Sequence, residues 1–516
     1  MSEEFLHGVE IVEIDDGTRP IETARSSVIG LIGTAPNSES AETATLTTGT
    51  ELLDNAILWT ATSSGVGGNS TGVYLKARGL SKALDVMVSN GVITVQLATD
   101  SAGLVTSTAA EVIAAVTADV DASALVTVTN AGDSDGSGEA EASMRIEYLS
   151  GGLDEAFPLN TPVLVAGRRQ EAQRLGSGGT LPHAIDGIFD QYGAWVAVVR
   201  IAEGVDNAAT LSNVIGDLTQ RTGVKAFLNA EPSIFVTPRI LIAPTFSHEQ
   251  AVVAEMIGVA EMLKAVVIAD GPSTSDVAAI DYRMNFGSDR VYIVDPRVKI
   301  WDTATHGYAY RPASPRVAGI IAKSDNERGF WWSPSNREVN GIVGTERHID
   351  FEIGNPQSRA NYLNEHDVAT IVRKEGWRLW GNRSCSEDPK WQFLSVRRTA
   401  DMIHEALQRS HLWAVDRNIT KTYMEDVVMG VRSFLNHLTV KGAILGGTCW
   451  VDEELNSPES IANGRVYFDF DFTTLYPGER VVFRSHLTNQ YIANLFPLRD
   501  GMSRNNGVLA SIGQAQ

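Results

Sequence analysis

The sequence predicts a multidomain protein of mixed α/β and α+β class. Residues 155–370 alternate buried strands with helices, a pattern typical of βαβ crossovers and a parallel sheet. Residues 371–516 mix strands and helices without that alternation, which favours an α+β domain. Residues 38–154 are rich in Ala, Thr, Ser, Gly and Val and read as a mainly β inserted domain. A length of 516 residues accommodates roughly three or four domains.

Composition excludes several classes of function. The net charge of −21 argues against a general nucleic-acid binder, which needs a basic face. No apolar run is long enough to span a membrane, and the first ten residues lack the basic and apolar regions of a secretory signal. Two cysteines, Cys385 and Cys449, cannot build a disulfide framework and indicate a reducing compartment.

The charge is unevenly distributed along the chain. Residues 38–154 contain four Lys or Arg against fifteen acids, whereas residues 371–516 contain seventeen against sixteen. This asymmetry favours an acidic module that faces solvent and a near-neutral module that packs against another surface. The alternative is that a small acidic domain simply stays soluble in this way.

Residues 1–37 are predicted to form an N-terminal arm and the first strands. Residues 8–14, GVEIVEI, alternate apolar and acidic side chains, which predicts a strand with one dry face. Residues 27–33, SVIGLIG, form a continuous apolar run and predict a buried strand.

The inserted domain, residues 38–154, is predicted to contain one helix among short strands. Thr108 and Glu111 form a capping-box pattern at the start of that helix. The strands are predicted at 56–60, 72–76, 84–88, 92–97, 125–128 and 144–148.

The middle domain, residues 155–370, is predicted to carry the parallel sheet. A capping box at 247–250 is expected to open a helix through Leu263, and a second helix is expected at 275–286. The strands are predicted at 195–200, 239–243, 265–269 and 291–294.

The C-terminal domain, residues 371–516, is predicted to contain helices at 399–413 and 420–438. Residues 466–472 alternate cleanly, with Phe468, Phe470 and Phe472 on one face of a strand. Further strands are predicted at 371–374, 391–396, 443–445 and 481–484.

Enzyme signatures are scarce. The sequence has no Gly-Lys dipeptide for a Walker A loop, no HExxH and no CxxC. Asp270 and Asp295 each end a predicted parallel strand, where α/β enzymes place their sites, so a metal-dependent or hydrolase-like site there is the alternative hypothesis. Asp-Gly and Asp-Pro are equally ordinary turn starters. We expect no catalytic residue, no metal and no cofactor.

The scarcity of chemistry favours a structural or assembly role. Both ends of the chain carry apolar alternation, at 9–14 and 481–492, and terminal strands are readily donated to a neighbouring sheet. Trp and Arg also cluster at 375–383, a composition favoured in interfaces and equally in cores.

Several motifs resemble contractile phage tail sheath proteins, as in temperate myophages and R-type pyocins. The resemblance covers residues 1–37 and about 155–505, and leaves out 38–154. It is carried by LHGV at 6–9, NFGS at 285–288, VDP at 294–296, WD at 301–302, WSPSN at 332–336, IVRKEGWRLWGNRSCS at 371–386 and WAVDRNITKTY at 413–423.

The resemblance implies a structural subunit that stacks as hexameric rings around a tail tube and contracts to drive the tube through a host envelope. It implies a C-terminal domain with exchanged terminal strands, in which Val9, Ile11 and Ile14 are donor-strand residues and the segment from Phe483 to Tyr491 supplies a second arm. By position, the residues expected to face the tube are Arg417, Lys421 and Arg432. The implied partners are other copies of the chain, the tail tube, the baseplate and the tail terminator, without nucleic acid or membrane insertion. The expected location is the virion tail, after assembly in the host cytoplasm.

Overall fold

The computed structural model describes Ile21 and residues 25–495. The predicted donor-strand residues Val9, Ile11 and Ile14 lie outside the described residues. The chain divides into two compact units. The first ends at Tyr476, and the second begins at Pro477.

The strands of the described chain fall into one large sheet and four small ones. In chain order they are β1 (Ile29–Thr34), β2 (Thr43–Thr48), β3 (Ile57–Ser64), β4 (Gly72–Lys76), β5 (Asp85–Ser89), β6 (Val92–Gln96), β7 (Val126–Asn130), β8 (Glu147–Tyr148), β9 (Val163–Ala166), β10 (Trp195–Ile201), β11 (Ile240–Ile242), β12 (Val266–Asp270), β13 (Val291–Val294), β14 (Val298–Asp302), β15 (Gly307–Arg311), β16 (Arg337–Glu338), β17 (Gly344–Thr345), β18 (Val368–Arg373), β19 (Trp377–Trp380), β20 (Ile444–Val451) and β21 (Phe468–Thr474).

The α-helices lie mainly between the strands of the large sheet and after it. They are α1 (Ala109–Ala118), α2 (Val120–Leu125), α3 (Arg169–Gln173), α4 (Leu181–Phe189), α5 (Asn207–Ile215), α6 (Ala230–Ile234), α7 (Gln250–Leu263), α8 (Asp276–Arg283), α9 (Ser314–Arg328), α10 (Arg359–Glu365), α11 (Leu394–Ser410), α12 (Lys421–Val440) and α13 (Pro458–Ala462). Among the described residues, no helix combines the length and apolar composition needed to cross a bilayer.

The large sheet has the order β16-β19-β18-β13-β12-β11-β1-β10-β9. Its six central strands, β18 to β10, pair in parallel, and the strands at both margins are antiparallel. The order β10-β1-β11-β12-β13 is that of a doubly wound sheet, so helices cover both faces. The parallel pairing expected from the alternating pattern is therefore present.

Apolar runs form these strands because both of their faces are buried. Alternate residues enter two separate cores: Ile240 and Ile242 pack with α4 and α9, whereas Leu241 packs with α7 and α8 on the opposite face. The period of two along each strand assigns neighbouring side chains to opposite cores.

The structure corrects three predictions in the C-terminal half. Residues 371–374 are not the start of the C-terminal domain, because β18 and β19 pair with the large sheet through β13. The predicted strand at 391–396 is wrong, since α11 begins at Leu394. The predicted strand at 481–484 is also absent, and residues 477–488 contain no helix or strand.

Residues 43–148 build their own apolar core around Trp59. Two small sheets, β2-β3-β7 and β5-β6-β4-β8, enclose it together with α1 and α2. Thr108 and Glu111 form the predicted capping box: Thr108 Oγ1 accepts from the Glu111 N–H, and Glu111 Oε2 accepts from the Thr108 N–H.

The two ends of this segment lie side by side. Glu42 and Leu153 exchange backbone hydrogen bonds of 2.8 and 3.2 Å, and the Ala156 N–H donates to the Glu39 carbonyl at 3.2 Å. The chain therefore leaves and rejoins the rest of the protein through two segments that are hydrogen-bonded to each other.

Helix α11 connects the large sheet to the C-terminal elements. Its apolar side contributes Ile403 and Ala406 to a core formed with α12, β20 and β21, here called the C-terminal cluster. On another side Glu405 pairs with Arg239, which precedes β11, and Asp401 accepts two hydrogen bonds of 2.7 and 3.0 Å from Arg290, which precedes β13.

These ion pairs are buried. The side chains of Arg239 and Glu405 are 7% and 5% exposed, and that of Asp401 is 3% exposed. Arg398 also reaches from α11 to Asp325 on α9 and to the Ser26 carbonyl. Because a buried charge without a partner is costly, these contacts hold α11 in one position against the amino ends of the strands.

We expect Glu405→Gln to lower the free energy of unfolding by about 3–5 kcal/mol, because the substitution leaves Arg239 buried without its counter-charge. The urea midpoint, followed by tryptophan fluorescence, measures this loss.

Glu231→Gln is the matched control, since Glu231 is 63% exposed and pairs with Arg409 at the surface. It should change stability by less than about 1 kcal/mol. Equal midpoints for the two variants would contradict the assignment of a stabilising role to the buried pair.

Candidate assembly surface

Strands β20 and β21 form a two-stranded antiparallel sheet at the C-terminal side of the fold. They pair from Val451 opposite Phe468 to Ile444 opposite Thr474, with one irregularity near Gly446. No other described strand pairs with either outer edge. Each outer edge therefore presents backbone groups that no described strand pairs with, the arrangement that receives an added strand.

One face of this sheet packs on α11 and α12. Phe468, Phe470 and Phe472 share that face, as the alternation predicts, and contact the C-terminal cluster. His404 on α11 lies edge-on to Phe470 and Phe472, with ring centroids 6.0 and 6.2 Å apart. All three phenylalanines are nevertheless only half-buried, because two strands are too narrow to cover their own apolar face.

The opposite face of β21 carries Asp469 and Asp471. Asp471 Oδ1 accepts a hydrogen bond of 2.9 Å from the Thr448 N–H across the ladder. On β20 the apolar side chains Leu445 and Trp450 are 62% and 40% exposed. The sheet thus offers both apolar and acidic side chains to a neighbouring strand.

Arg432 of α12 lies at the outer edge of β20. Its Nε donates a hydrogen bond of 2.7 Å to the Cys449 carbonyl. The sequence suggests Arg432 only as a tube-facing candidate, and no local pattern signals this contact with a strand edge.

Ile21, the first described residue, lies beside the C-terminal cluster. Ile21 packs against the C-terminal cluster, next to Trp331. A groove of about 590 Å³ runs there between Arg25, Phe330 and Phe434.

The predicted C-terminal arm is exposed. Phe483 is 91% exposed and Tyr491 is 72% exposed, and Leu487 between them is fully exposed. A short 3₁₀ helix spans Gln490–Leu495.

The other two tube-facing candidates lie together near the start of α12. The Arg417 guanidinium stacks over the Trp413 ring at 5.0 Å, and Lys421 pairs weakly with Glu425 at 3.8 Å. Arg432 is three turns further along the helix, so the structure does not bring all three side chains to one place.

Asp270 is a structural residue. Its Oδ1 accepts hydrogen bonds of 2.8 Å from both the Ala313 and the Ser314 N–H groups at the start of α9, and its Oδ2 accepts from the hydroxyls of Ser314 and Ser247. Burial raises the pKa of the Asp270 carboxyl, and these hydrogen bonds oppose that rise. Ser247 consequently does not cap α7 as predicted; Glu249 occupies the N-cap position.

Asp295 also has a structural role. It is fully buried, pairs with Arg347, and accepts a hydrogen bond of 2.7 Å from the Ser273 N–H. Among the described residues, no group of three or more His, Cys, Asp or Glu side chains is arranged to hold a metal ion.

A cavity of about 450 Å³ lies beside Asp270 at the carboxyl ends of β11 and β12. Each arginine that lines it already has an acidic partner within the fold. These pairs are Arg297 with Glu346, Arg311 with Asp302, and Arg316 with Asp190. The lining charges therefore stabilise the fold and do not mark a catalytic centre.

Comparisons with known proteins show the family of this chain. Residues 219–385 match the phage tail sheath protein central domain, and residues 386–488 match the phage tail sheath C-terminal domain. A putative prophage major tail sheath protein of Pseudomonas aeruginosa (strain UCBPP-PA14) is 41% identical over 351 residues, which cover 67% of this chain and 91% of that protein. This chain belongs to the phage tail sheath family.

Two further sheath relatives differ in how much of the chain they match. The tail sheath protein of Escherichia phage P2 is 36% identical over 353 residues, covering 66% of this chain and 88% of its own length. The tail sheath protein of Burkholderia phage BcepMu is 30% identical over 521 residues, covering 96% of this chain and 99% of its own length. The match to BcepMu must therefore include most of residues 38–154.

Solved structures support the fold. The anti-feeding prophage baseplate in its contracted state aligns with a TM-score of 0.53 at 17% identity, covering 64% of this chain and 90% of the matched chain. The helical sheath of the same particle, in the contracted state, aligns with a TM-score of 0.50 at 19% identity, covering 64% and 89%.

Family membership decides between the two functional hypotheses. The protein is a structural component of a contractile tail and not an enzyme. The alternative of a hydrolase-like or metal-dependent site near Asp270 and Asp295 is wrong. Each carboxylate has a structural role instead. Asp270 accepts hydrogen bonds from the N–H groups at the start of α9, and Asp295 neutralises the buried Arg347.

We expect Asp270→Asn to destabilise the protein by about 1–3 kcal/mol for each buried donor that loses its acceptor. The asparagine amide has one acceptor oxygen where the carboxylate has two. Chemical denaturation measures the loss, and Asp133→Asn, at an exposed position in the inserted segment, should stay within about 0.5 kcal/mol of the unaltered protein. An unchanged stability for Asp270→Asn would contradict the capping role.

Proposed function

We propose that this protein polymerises as stacked hexameric rings around a tail tube, and that the polymer contracts to drive the tube through a host envelope. The observation that carries the proposal is the two-stranded sheet of β20 and β21, which has two open edges and a half-covered apolar face. Terminal arms of adjacent copies would complete it to four strands.

The proposed donors are residues around Val9, Ile11 and Ile14 at the N-terminus and the segment from Phe483 to Tyr491 at the C-terminus. Twenty residues precede Ile21, enough to reach about 65 Å when extended. An exchanged strand joins subunits through local backbone hydrogen bonds, so the joint survives while the subunits rotate as rigid bodies.

Contraction in this scheme needs no nucleotide. A free-energy difference of about 5.5 kcal/mol moves a two-state equilibrium from 1:99 to 99:1. Small gains at each interface, summed over many subunits, exceed that amount. The extended polymer is then metastable, and the free energy released on contraction is stored in its interfaces.

We propose the tail tube, the baseplate and the tail terminator as the other partners, within a virion tail assembled in the host cytoplasm. Arg417, Lys421 and Arg432 are the candidates for contact with the tube, because all three are exposed on or just before α12. Residues 38–154, with a net charge of −11, are proposed to form an inserted domain on the outside of the polymer.

Deletion of residues 1–16 should block polymerisation and leave a folded monomer, because it removes the proposed N-terminal donor strand and leaves the described fold intact. Sedimentation velocity and negative-stain microscopy measure the polymers, and circular dichroism checks the monomer. Normal sheaths formed by the truncated chain would contradict strand donation.

Deletion of residues 38–154, closed by a short Gly-Ser linker, should leave polymerisation possible. In the intact protein the pairing of Glu42 with Leu153 places the two ends of the deleted range side by side, so a short linker spans them and the rest of the fold need not move. Microscopy of the deleted chain provides the measurement. An aggregated or monomeric product would count against a peripheral insertion.

A further inference from the structure

His404 lies in the seam where α11 meets β21. Its imidazole is half-buried, and its ring centroid is 6.0 Å from that of Phe470 and 6.2 Å from that of Phe472. The two phenylalanine rings stack on each other, with centroids 6.1 Å apart. Asp469 and Asp471 alternate with these rings along β21 and therefore lie on the opposite face. The strand side of the seam is thus apolar.

The charged groups that act on the imidazole are three cations and one anion. The cations are Arg397 on α11, Arg290 just before β13 and Lys264 just after α7, and the anion is Asp401 on α11. A proton on His404 would place a fourth positive charge among these groups. Like charges that share a half-buried site repel each other more strongly than they do in water.

Asp401 offers little compensation, because two arginines already occupy its carboxylate. Its Oδ1 accepts hydrogen bonds of 2.9 Å from Arg397 Nη2 and 3.0 Å from Arg290 Nη2, and its Oδ2 accepts one of 2.7 Å from Arg290 Nη1. Glu405, the next acid along the helix, pairs with Arg239. A protonated imidazole in the closed seam therefore finds no carboxylate that is free to pair with it among the described residues around it.

The closed seam favours the neutral imidazole. Burial lowers the pKa of His404 below its ordinary value of 6.5, and the charge of Arg397 lowers this pKa further. In an open seam the ring enters water, and its pKa returns to about 6.5. The closed form is consequently most stable above that pH. It loses stability as the pH falls, because the open form then binds a proton that the closed form resists.

We propose that His404 is a pH-sensitive contact that holds β21 against α11. The neutral ring packs on Phe470 and Phe472 and keeps the seam closed, whereas the protonated ring is repelled by the surrounding cations and releases β21. The large sheet takes no part in this seam and is held by two cores of its own, so the opening is local.

This contact has a consequence for assembly, since β21 belongs to the candidate assembly surface. Polymers of this protein should be weaker in acid, and that consequence rests on the proposed function. The contact itself is a property of the free subunit. An experiment on the free subunit therefore gives a result that does not depend on whether the protein polymerises.

The two cysteines provide a test within one chain. Cys449 on β20 is 1% exposed, lies opposite Phe470 in the ladder and belongs to the C-terminal cluster. Cys385 is fully buried in a core of the large sheet. Opening of the seam exposes the first thiol and leaves the second covered. Once exposed, both are ordinary alkyl thiols, so the ratio of their labelling rates cancels the reagent's own dependence on pH.

In the free subunit, the labelling rate of Cys449 relative to that of Cys385 should rise about tenfold when the pH is lowered from about 7.5 to about 5, because only the open seam accepts the proton. Timed labelling with a thiol reagent and peptide mass spectrometry measure both rates. His404→Gln cannot gain the proton and should give a ratio that does not change with pH. His411→Gln, which removes the histidine that directly follows α11, should keep the rise.

A ratio that stays constant in the unaltered chain overturns the proposal. The same rise in His404→Gln also overturns it, because another group would then be the one that titrates. Labelling rates that rise in parallel for both cysteines indicate global unfolding and contradict a local opening. Circular dichroism at about pH 7.5 checks the fold of each variant. His404→Phe, which keeps a ring in the seam and cannot titrate, replaces His404→Gln if the glutamine variant does not fold, and it should also give a constant ratio.

Discussion

The structure depends on the buried ion pairs that fix α11 against the amino ends of the parallel strands. Arg239 with Glu405 and Arg290 with Asp401 join a helix of the C-terminal region to strands of the large sheet. Apolar contacts alone permit sliding, whereas a buried charge tolerates only the position in which its partner is present. The β20–β21 sheet, which packs on the other side of α11, is thereby held in a set orientation to the large sheet.

This connection matters for a subunit of a contractile polymer. In the proposed strand exchange, force on a strand added to β20 or β21 would pass through α12 and α11 into the nine-stranded sheet. A soft connection would absorb that force as local deformation. Because α11 is fixed by ion pairs on one side and by the C-terminal cluster on the other, such a load would reach the body of the subunit.

Much of this fold follows from local sequence patterns. The continuous apolar runs and the helices between them predict the parallel sheet, and the alternation of Phe468, Phe470 and Phe472 predicts a strand with one buried face. The errors occur where long-range contacts override local preference. Ser247 has the spacing of a capping residue, yet its hydroxyl bonds to Asp270, 23 residues away. The boundary at 371 fails because β18 and β19 find their partners in the large sheet.

The candidate site is harder to predict from the sequence than the fold is. Asp401 and Glu405 lie four residues apart on a helix, a spacing that predicts an exposed acidic face. Only the tertiary structure shows that Arg290 and Arg239 pair with them. No local sequence pattern predicts the contact of Arg432 with Cys449, because that contact depends on how α12 packs against β20. The proposed donor strands are harder still to predict, because their proposed partner is another copy of the chain.

The paired strands at Glu42 and Leu153 have an evolutionary consequence. Where the two ends of an insertion are hydrogen-bonded to each other, the parent fold can accept any compact module whose own ends lie close together, without being disturbed. Tail sheaths of different lengths can then descend from one ancestor by acquisition or loss of such a graft. The same junction offers protein engineers a place to graft foreign domains onto the subunit.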